Sequence, residues 1–292
     1  MRMIGAYLIV ALMILPGYAP PTAPGSQGTG TVLLAVTDAK GRPVPGLSPR
    51  DVSVRVDGVE RQVMSVRQST EAPAIVIIVD GYTEFATLQM RRALRSVLDV
   101  IRASSPDAQV AFMMSEGPTP PTLKHVNKDA AALDREAAAF LRGGASAPML
   151  ECVMVAARAL GEAPSRRRLI FLLTSQRDSL PATDTAEVVG EVVRRSGASL
   201  WALQSTLPAL QSGAVENERV MKTVTRASGG RREQRLTWLI EEHAVAMTRQ
   251  MLSQYEVTFD LPATLGPGHL RVGVTGGRIE VFAPGWVTRQ GR

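Results

Sequence analysis

The chain has 292 residues, a formal charge of +6, 45% hydrophobic residues and only 4% aromatics. That length holds one large domain or two small ones, and a core built from Val, Leu, Ile, Ala and Met rather than from rings. A single cysteine, Cys152, excludes an internal disulfide; it lies in an apolar helical run and reads as a small core residue. The positive charge is spread over Arg91-Arg92, Arg166-Arg167-Arg168, Arg194-Arg195 and Arg231-Arg232, each beside the end of an expected helix or strand. Such placement reads as solvated surface and helix C-terminal charge. Nucleic-acid binding would need these groups on one face with stacking aromatics nearby, so no nucleic-acid partner is expected.

The first residues have the layout of an export signal: Arg2, an apolar segment over 4–15, then Pro16, Gly17 and small residues. The apolar segment is short for a membrane span. Cleavage after Ala19 or Ala23 faces Pro20 or Pro24, so residues 1–23 are read as a signal peptide or an uncleaved membrane anchor. No cysteine follows the apolar segment, which argues against a lipid-modified lipoprotein. The chain is expected to be exported: periplasmic, cell-envelope or secreted. Residues 24–30 continue a Pro/Gly/Ser/Thr tract and read as a linker.

A small β module is expected over 31–70. A strand over 31–37 is followed by the turn residues Asp38-Ala39-Lys40-Gly41, a short extended link, and Ser48-Pro49-Arg50-Asp51 in the order that opens a helical turn. Val52-Ser53-Val54-Arg55-Val56 alternates as a half-buried strand should, and Asp57-Gly58 is a hairpin turn leading to a strand over 60–68. Too few strands are present for independent stability, so the module is expected to pack on the remainder of the chain.

The next stretch organises the rest. Ala74-Ile75-Val76-Ile77-Ile78-Val79 is an unbroken apolar run ending in Asp80 and Gly81. A short run without alternation reads as a strand buried on both faces of a parallel sheet. Ligands of such sheets bind beyond the carboxyl ends of the strands, which places Asp80 at the candidate site. Helix and strand patterns then alternate: a helix over 84–104, a strand over 108–114, a short edge strand over 123–126, helices over 129–141 and 149–160, a strand over 169–174, a helix over 183–195, a strand over 198–204 and a helix over 216–227 stopped by Ser228-Gly229-Gly230. A long helix is read over 233–254, and strands over 255–261, 269–275 and 278–282 close the chain. The fold class is therefore α/β: an open parallel sheet with helices on both faces, preceded by the β module and closed by C-terminal antiparallel strands. The expected domains are 71–232 for the α/β unit and 233–292 for the long helix with the closing strands.

Enzyme signatures are missing where they would be needed. No G-x-S-x-G follows a strand, and Gly28-Thr29-Gly30 precedes the first strand instead of joining a strand to a helix. His125, His243 and His269 give no metal-ligand spacing. A hydrolase using Asp80, as in haloacid-dehalogenase-like phosphatases, would want a second aspartate where Tyr82 stands.

The order of these features resembles a von Willebrand factor A-like domain of the bacterial, acidobacterial-type VWFA-related family. Val36-Thr37-Asp38-Ala39-Lys40-Gly41-Arg42-Pro43-Val44-Pro45-Gly46-Leu47 resembles its opening V-x-D-x-x-G-x-x-V-x-G-L. Asp51 to Val54, Asp57-Gly58, Ala74 to Asp80, Ser228-Gly229-Gly230 and Tyr255-Glu256-Val257-Thr258-Phe259 follow in the family's order. The resemblance implies a Rossmann-like sheet and a metal-ion-dependent adhesion site, where D-x-S-x-S, a threonine and an aspartate from three loops hold Mg²⁺ or Mn²⁺ for a partner's carboxylate. Here Asp80 is kept, Tyr82 and Glu84 replace the serines, Ser146 stands near the threonine's place, and Ser175 replaces the aspartate. The resemblance thus implies a degenerate site. Asp80, Tyr82, Glu84, Ser146 and Ser175 are the partner-binding candidates, Asp80 is the candidate metal ligand, with Glu84 or Asp178 as a substitute oxygen, and no cofactor is expected. Adhesion through a remodelled Mg²⁺ or Mn²⁺ site is the alternative to metal-free binding of a protein or envelope partner.

Overall fold

The computed structural model describes residues 27–80, 84–114, 119–139, 149–174, 186–206, 215–262 and 268–287. It contains one six-stranded, mostly parallel sheet between two layers of helices, and two four-stranded antiparallel sheets packed face to face beside it.

The parallel sheet is built from β5 (Ala74–Asp80), β6 (Gln109–Met114), β7 (Lys124–His125), β8 (Arg168–Thr174), β9 (Ser199–Thr206) and β10 (Arg232–Leu236), in the order β10-β9-β8-β5-β6-β7. β5, β6, β8, β9 and β10 run parallel, and only the edge strand β7 is reversed. Counted from β5 in chain order, this is the doubly wound order 3-2-1-4-5-6, with a switch point between β5 and β8.

Alternate residues of β5 serve opposite cores, which is why its run is continuously apolar. Ile75, Ile77 and Val79 pack with α1 (Glu84–Ser104) and α6 (Ile240–Leu252), through Leu94, Leu98, Ile101, Ala244, Met247 and Met251. Ala74, Val76 and Ile78 pack with α3 (Met149–Glu162), α4 (Ala186–Ser196) and α5 (Val215–Ala227), through Val153, Ala157, Val189, Val193 and Val220. α2 (Ala130–Ala139) adds Leu133 and Ala137 to the first of these cores. Cys152 is fully buried in the second, as its apolar surroundings in the sequence imply.

The antiparallel strands join the two ends of the chain. β1 (Gln27–Asp38) pairs with β11 (Tyr255–Pro262) from Gln27 opposite Pro262 to Leu34 opposite Tyr255, and then with β13 (Ile279–Phe282). β4 (Val63–Gln68) completes that sheet on the far side of β11. The second sheet has the order β14-β12-β2-β3, from β2 (Val52–Val56), β3 (Val59–Arg61), β12 (Gly268–Val274) and β14 (Trp286–Val287). Val32, Leu34 and Val36 share one core with Val54, Val56, Val257, Phe259 and Leu270, so the sheets form a sandwich. The N-terminal strands are therefore completed by C-terminal ones, which removes the instability of a forty-residue module standing alone. β1 begins at Gln27 instead of residue 31, because β11 supplies backbone partners along that whole length.

The family-like turns have local causes. The Asp38 carboxylate accepts from the backbone N–H of Lys40 and Arg42 and from Arg42 Nε, at 2.8, 2.9 and 2.9 Å. Gly41, at φ 73°, lets the turn lie against α6, where buried Gln250 donates to its carbonyl at 2.7 Å. Asp57 and Gly58, at φ 50° and 81°, make the tight β2–β3 hairpin with the left-handed pair such a turn requires.

The long helix expected over 233–254 is instead β10, one 3-10 turn (Thr237–Leu239) and α6. The residues are good helix formers, but β10 pairs in parallel with β9 and its polar side chains alternate with period two. Glu233 accepts from Arg231 Nε at 2.6 Å and pairs with Arg235 at 3.0 Å. On the other side, Arg232 and Gln234 both donate to Gln204 Oε1, at 2.7 and 2.8 Å. A strand specified by polar alternation leaves no mark in hydrophobic periodicity.

One surface acid makes a pH prediction. Hydrogen bonds from Arg194 and then Arg195 hold Glu191 at about 2, below its ordinary 4.5. A lowered carboxyl pKa contributes stability above the unfolded value, and that contribution disappears as pH falls from 4.5 through 2. The melting temperature of Glu191→Gln should therefore fall less steeply than that of wild type across this window in an acid series followed by circular dichroism. The rest of the acid loss should be unchanged.

Candidate functional site

The candidate site lies at the switch point. β5 ends at Asp80, β8 ends at Thr174, and these two residues are register partners. The row continues across the sheet: Thr174 is opposite Gln204 of β9, and Gln204 is opposite Gln234 of β10. One step before, the row is Val79, Leu173, Leu203 and Glu233. Along β5, β8 and β9 the sheet thus changes from apolar to polar at a single register position. Helices diverge to opposite faces here, α1 after β5 and α4 after β8, which is the arrangement that marks the ligand-binding edge of open sheets.

Of the residues expected at the site, the structure places Asp80 as the last residue of β5 and Glu84 as the first of α1. The side chains of both, and residues Tyr82, Ser146 and Ser175 altogether, lie outside the described residues. Ser175 follows Thr174 directly in the chain.

The described part of the carboxyl edge holds polar groups not singled out from the sequence. Thr174 and Gln204 are 3% and 7% exposed, so both are buried. Arg232 bridges Gln204 to Glu218 of α5, its contact with Glu218 at 3.1 Å. Ser205 and Thr237 share a buried hydroxyl–hydroxyl hydrogen bond of 2.8 Å, and Thr237 donates to the Thr206 carbonyl at 3.2 Å. This network joins the ends of β9 and β10 to the 3-10 turn. The signal for it was present in the sequence, since two of the apolar runs give way to a hydroxyl or amide residue: Leu172-Leu173-Thr174 and Ala202-Leu203-Gln204.

Mg²⁺ takes oxygen ligands in a tight octahedron and is held through carboxylates. Among the described residues, no three His, Cys, Asp or Glu side chains cluster in a way that could hold a metal. Among them too, no helix is long and apolar enough to cross a membrane.

Comparison with protein families and with curated proteins finds no match. Among solved structures, the chain is similar to "von Willebrand factor type A" from Catenulispora acidiphila, at 14% identity over 82% of this chain and 74% of that one, with a TM-score of 0.48. It is also similar to an aerotolerance-related membrane protein from Bacteroides fragilis, at 12% identity over 62% of this chain and 98% of that one, with a TM-score of 0.45. A conserved hypothetical protein, BatB, from Bacteroides thetaiotaomicron matches at 12% identity over 62% and 98%, with a TM-score of 0.44. These likenesses are too distant to speak for activity, and the fold rests on strand order and helix placement. On those grounds the chain has a von Willebrand A-like, Rossmann-like α/β fold, with an antiparallel sandwich formed from its two ends.

Proposed function

We propose that this chain is an exported, non-enzymatic protein-interaction module. It binds a protein or envelope partner at the carboxyl edge of the parallel sheet, without a metal. The carrying observation is the polar row Asp80-Thr174-Gln204-Gln234, which caps the apolar runs of β5, β8 and β9 at the topological switch point. Open sheets of this kind bind their ligands there. The resemblance of the sequence to von Willebrand A-like domains supports a protein as the ligand, and its apolar N-terminal segment supports export. Tyr82 and Glu84 follow Asp80 and Ser175 follows Thr174 in sequence; with Asp80, and with Ser146 from the segment before α3, they are the contact candidates.

The reading is metal-free because the replaced positions remove hydroxyls and one carboxylate that an adhesion site uses. The alternative, adhesion through a remodelled ion site, is favoured by one observation: Asp80 remains at the end of the first parallel strand. Thermal unfolding separates the two. An ion bound only by the folded state raises the melting temperature as its concentration rises, by about 2.7 kcal/mol of stability at a hundred times its dissociation constant. The expected result is no rise with Mg²⁺ or Mn²⁺ in either wild type or Asp80→Ala. A rise in wild type that is lost in Asp80→Ala would establish the ion-dependent alternative.

A further inference from the structure

At the other end of the parallel sheet, about 20 Å from Asp80 along the strands, a cleft of about 490 Å³ separates the α/β layers from the sandwich. Its α/β wall carries Arg166 and Arg168 before and at the start of β8, and Arg194 and Arg195 in the last turn of α4. Its sandwich wall carries half-buried Trp286 and buried Val287. Two of the basic groups that look scattered along the chain are thus brought to one place, because the segments entering β8 and β9 are neighbours in the sheet.

The charges do not balance within the cleft. Arg166 donates to Glu71 at 3.1 Å and to Glu256 at 3.0 Å. Arg194 and Arg195 share Glu191. Arg168 is held differently: its Nε, Nη1 and Nη2 donate to the backbone carbonyls of Ser165, Ser196 and Ala163, at 2.8, 2.7 and 2.7 Å. Those acceptors are neutral, and no carboxylate among the described residues pairs with it. A guanidinium has five N–H donors, so two on Arg168 remain after these three bonds. Arg167, buried directly behind, is likewise held by the carbonyls of Glu71 and Leu252, at 2.6 and 2.7 Å. Arg67, on the far side of Glu256, shares that carboxylate. Among the described residues, four arginines and one carboxylate, Glu256, line the cleft, and Trp286 and Val287 make part of its sandwich wall apolar.

We propose that this cleft binds an organic oxyanion, a carboxylate or phosphate monoester, carried on an apolar body. The fixed guanidinium of Arg168 and its neighbours take the charged head, and Trp286 with Val287 take the body. Arg168, fixed by three carbonyls, is suited to a planar or tetrahedral oxyanion, since a charge-assisted bond is about twice as strong as a neutral one. The interleaved Glu71, Glu191 and Glu256 disfavour a long polyanion, which needs an unbroken basic track. The proposal stands on residues remote from the carboxyl edge and does not depend on what binds there.

Calorimetric titration of the full chain with phenyl phosphate, phenylacetate, inorganic phosphate, acetate and a short single-stranded oligonucleotide tests it. The two phenyl compounds should each bind about tenfold more tightly than phosphate or acetate, for burial of their ring. Which of the two binds better identifies the head group. Binding should weaken about tenfold in Arg166→Gln and in Arg195→Gln, from loss of one charged hydrogen bond, and should weaken with added salt. Arg168→Gln should abolish it, with circular dichroism used to verify folding. The proposal is overturned if no phenyl compound binds, or if inorganic phosphate binds as tightly. It is also overturned if folded Arg166→Gln and Arg195→Gln bind as wild type does, or if the oligonucleotide binds more tightly than phenyl phosphate.

Discussion

Gly230→Ala should unfold this protein or leave it at least about 4 kcal/mol less stable, at the extreme of what one methyl group does. A Cβ on Gly230 would lie 1.8 Å from the carbonyl oxygen of Leu200 and 2.5 Å from its carbon. Neither atom can yield, because β9 is bonded between β8 and β10. The neighbouring residues tighten the same joint. Ser228 Oγ accepts from the Leu200 N–H at 3.0 Å and donates to the Thr225 carbonyl at 3.1 Å. Gly229, at φ 76°, passes so close to Pro284 that a Cβ there would meet its nitrogen at 2.5 Å. Ser228 also forms a β-bridge with Pro284, and Gly285 donates to the Ala227 carbonyl at 2.8 Å. Ser228-Gly229-Gly230 is thus where α5, the parallel sheet and the returning C-terminal strands are fastened together. Gly190→Ala is the control. Nothing lies within 4 Å of its added Cβ, and the site is inside a helix, so it should stabilise by about 0.5–1 kcal/mol. Urea unfolding of the two variants gives the comparison directly.

The second large effect is expected for Arg167→Met. Arg167 is 2% exposed and donates to the carbonyls of Glu71 and Leu252 and, at 3.4 Å, to Gln254 Oε1. Burial lowers its guanidinium to about 10, with the charge of Glu71 pulling the other way, so it stays charged at neutral pH. Its role is to satisfy backbone at the place where the linker after β4, the start of β8 and the end of α6 meet. Methionine fills the space and strands the carbonyls, at a cost of about 1–3 kcal/mol for each buried acceptor. The expected total is about 3 kcal/mol, seen as a lower urea midpoint with an unchanged slope. Arg167→Lys should recover part of it, since one ammonium reaches only some of the acceptors.

How much of this was legible in the sequence depends on where the information resides. The apolar run 74–79 announces a strand buried on both faces, and the stripe Leu94, Val97, Leu98 and Ile101 announces α1, which spans the expected 84–104. Those signals are local, and hydrophobic periodicity reads them well. The turn residues Asp38, Gly41, Asp57 and Gly58 were also legible, because backbone conformation and short-range hydrogen bonds demand their types. Three features were not. β10 is specified by a polar alternation completed only by Gln204 and by Arg231, Glu233 and Arg235 meeting one another. The sandwich depends on Leu34 meeting Tyr255 across most of the chain length. The basic cleft requires residues 166–168 and 194–195 to become neighbours through the order of β8 and β9. Each is a product of topology, to which a linear pattern is blind. For the candidate site the sequence supplied Asp80 and the loop residues, whereas Thr174, Gln204 and Gln234 acquire meaning only from the register that aligns them with Asp80.

The most direct test of the central claim is capture of an envelope protein by the immobilised chain, run in EDTA and again in Mg²⁺, with Tyr82→Ala and Ser175→Ala beside wild type. The expected result is one partner set, retained equally in both buffers and lost in the variants while their melting temperatures stay at the wild-type value. Capture that requires Mg²⁺, or that is indifferent to both variants, would contradict it: the first would move the interaction onto an ion, and the second would move it away from the carboxyl edge of the sheet.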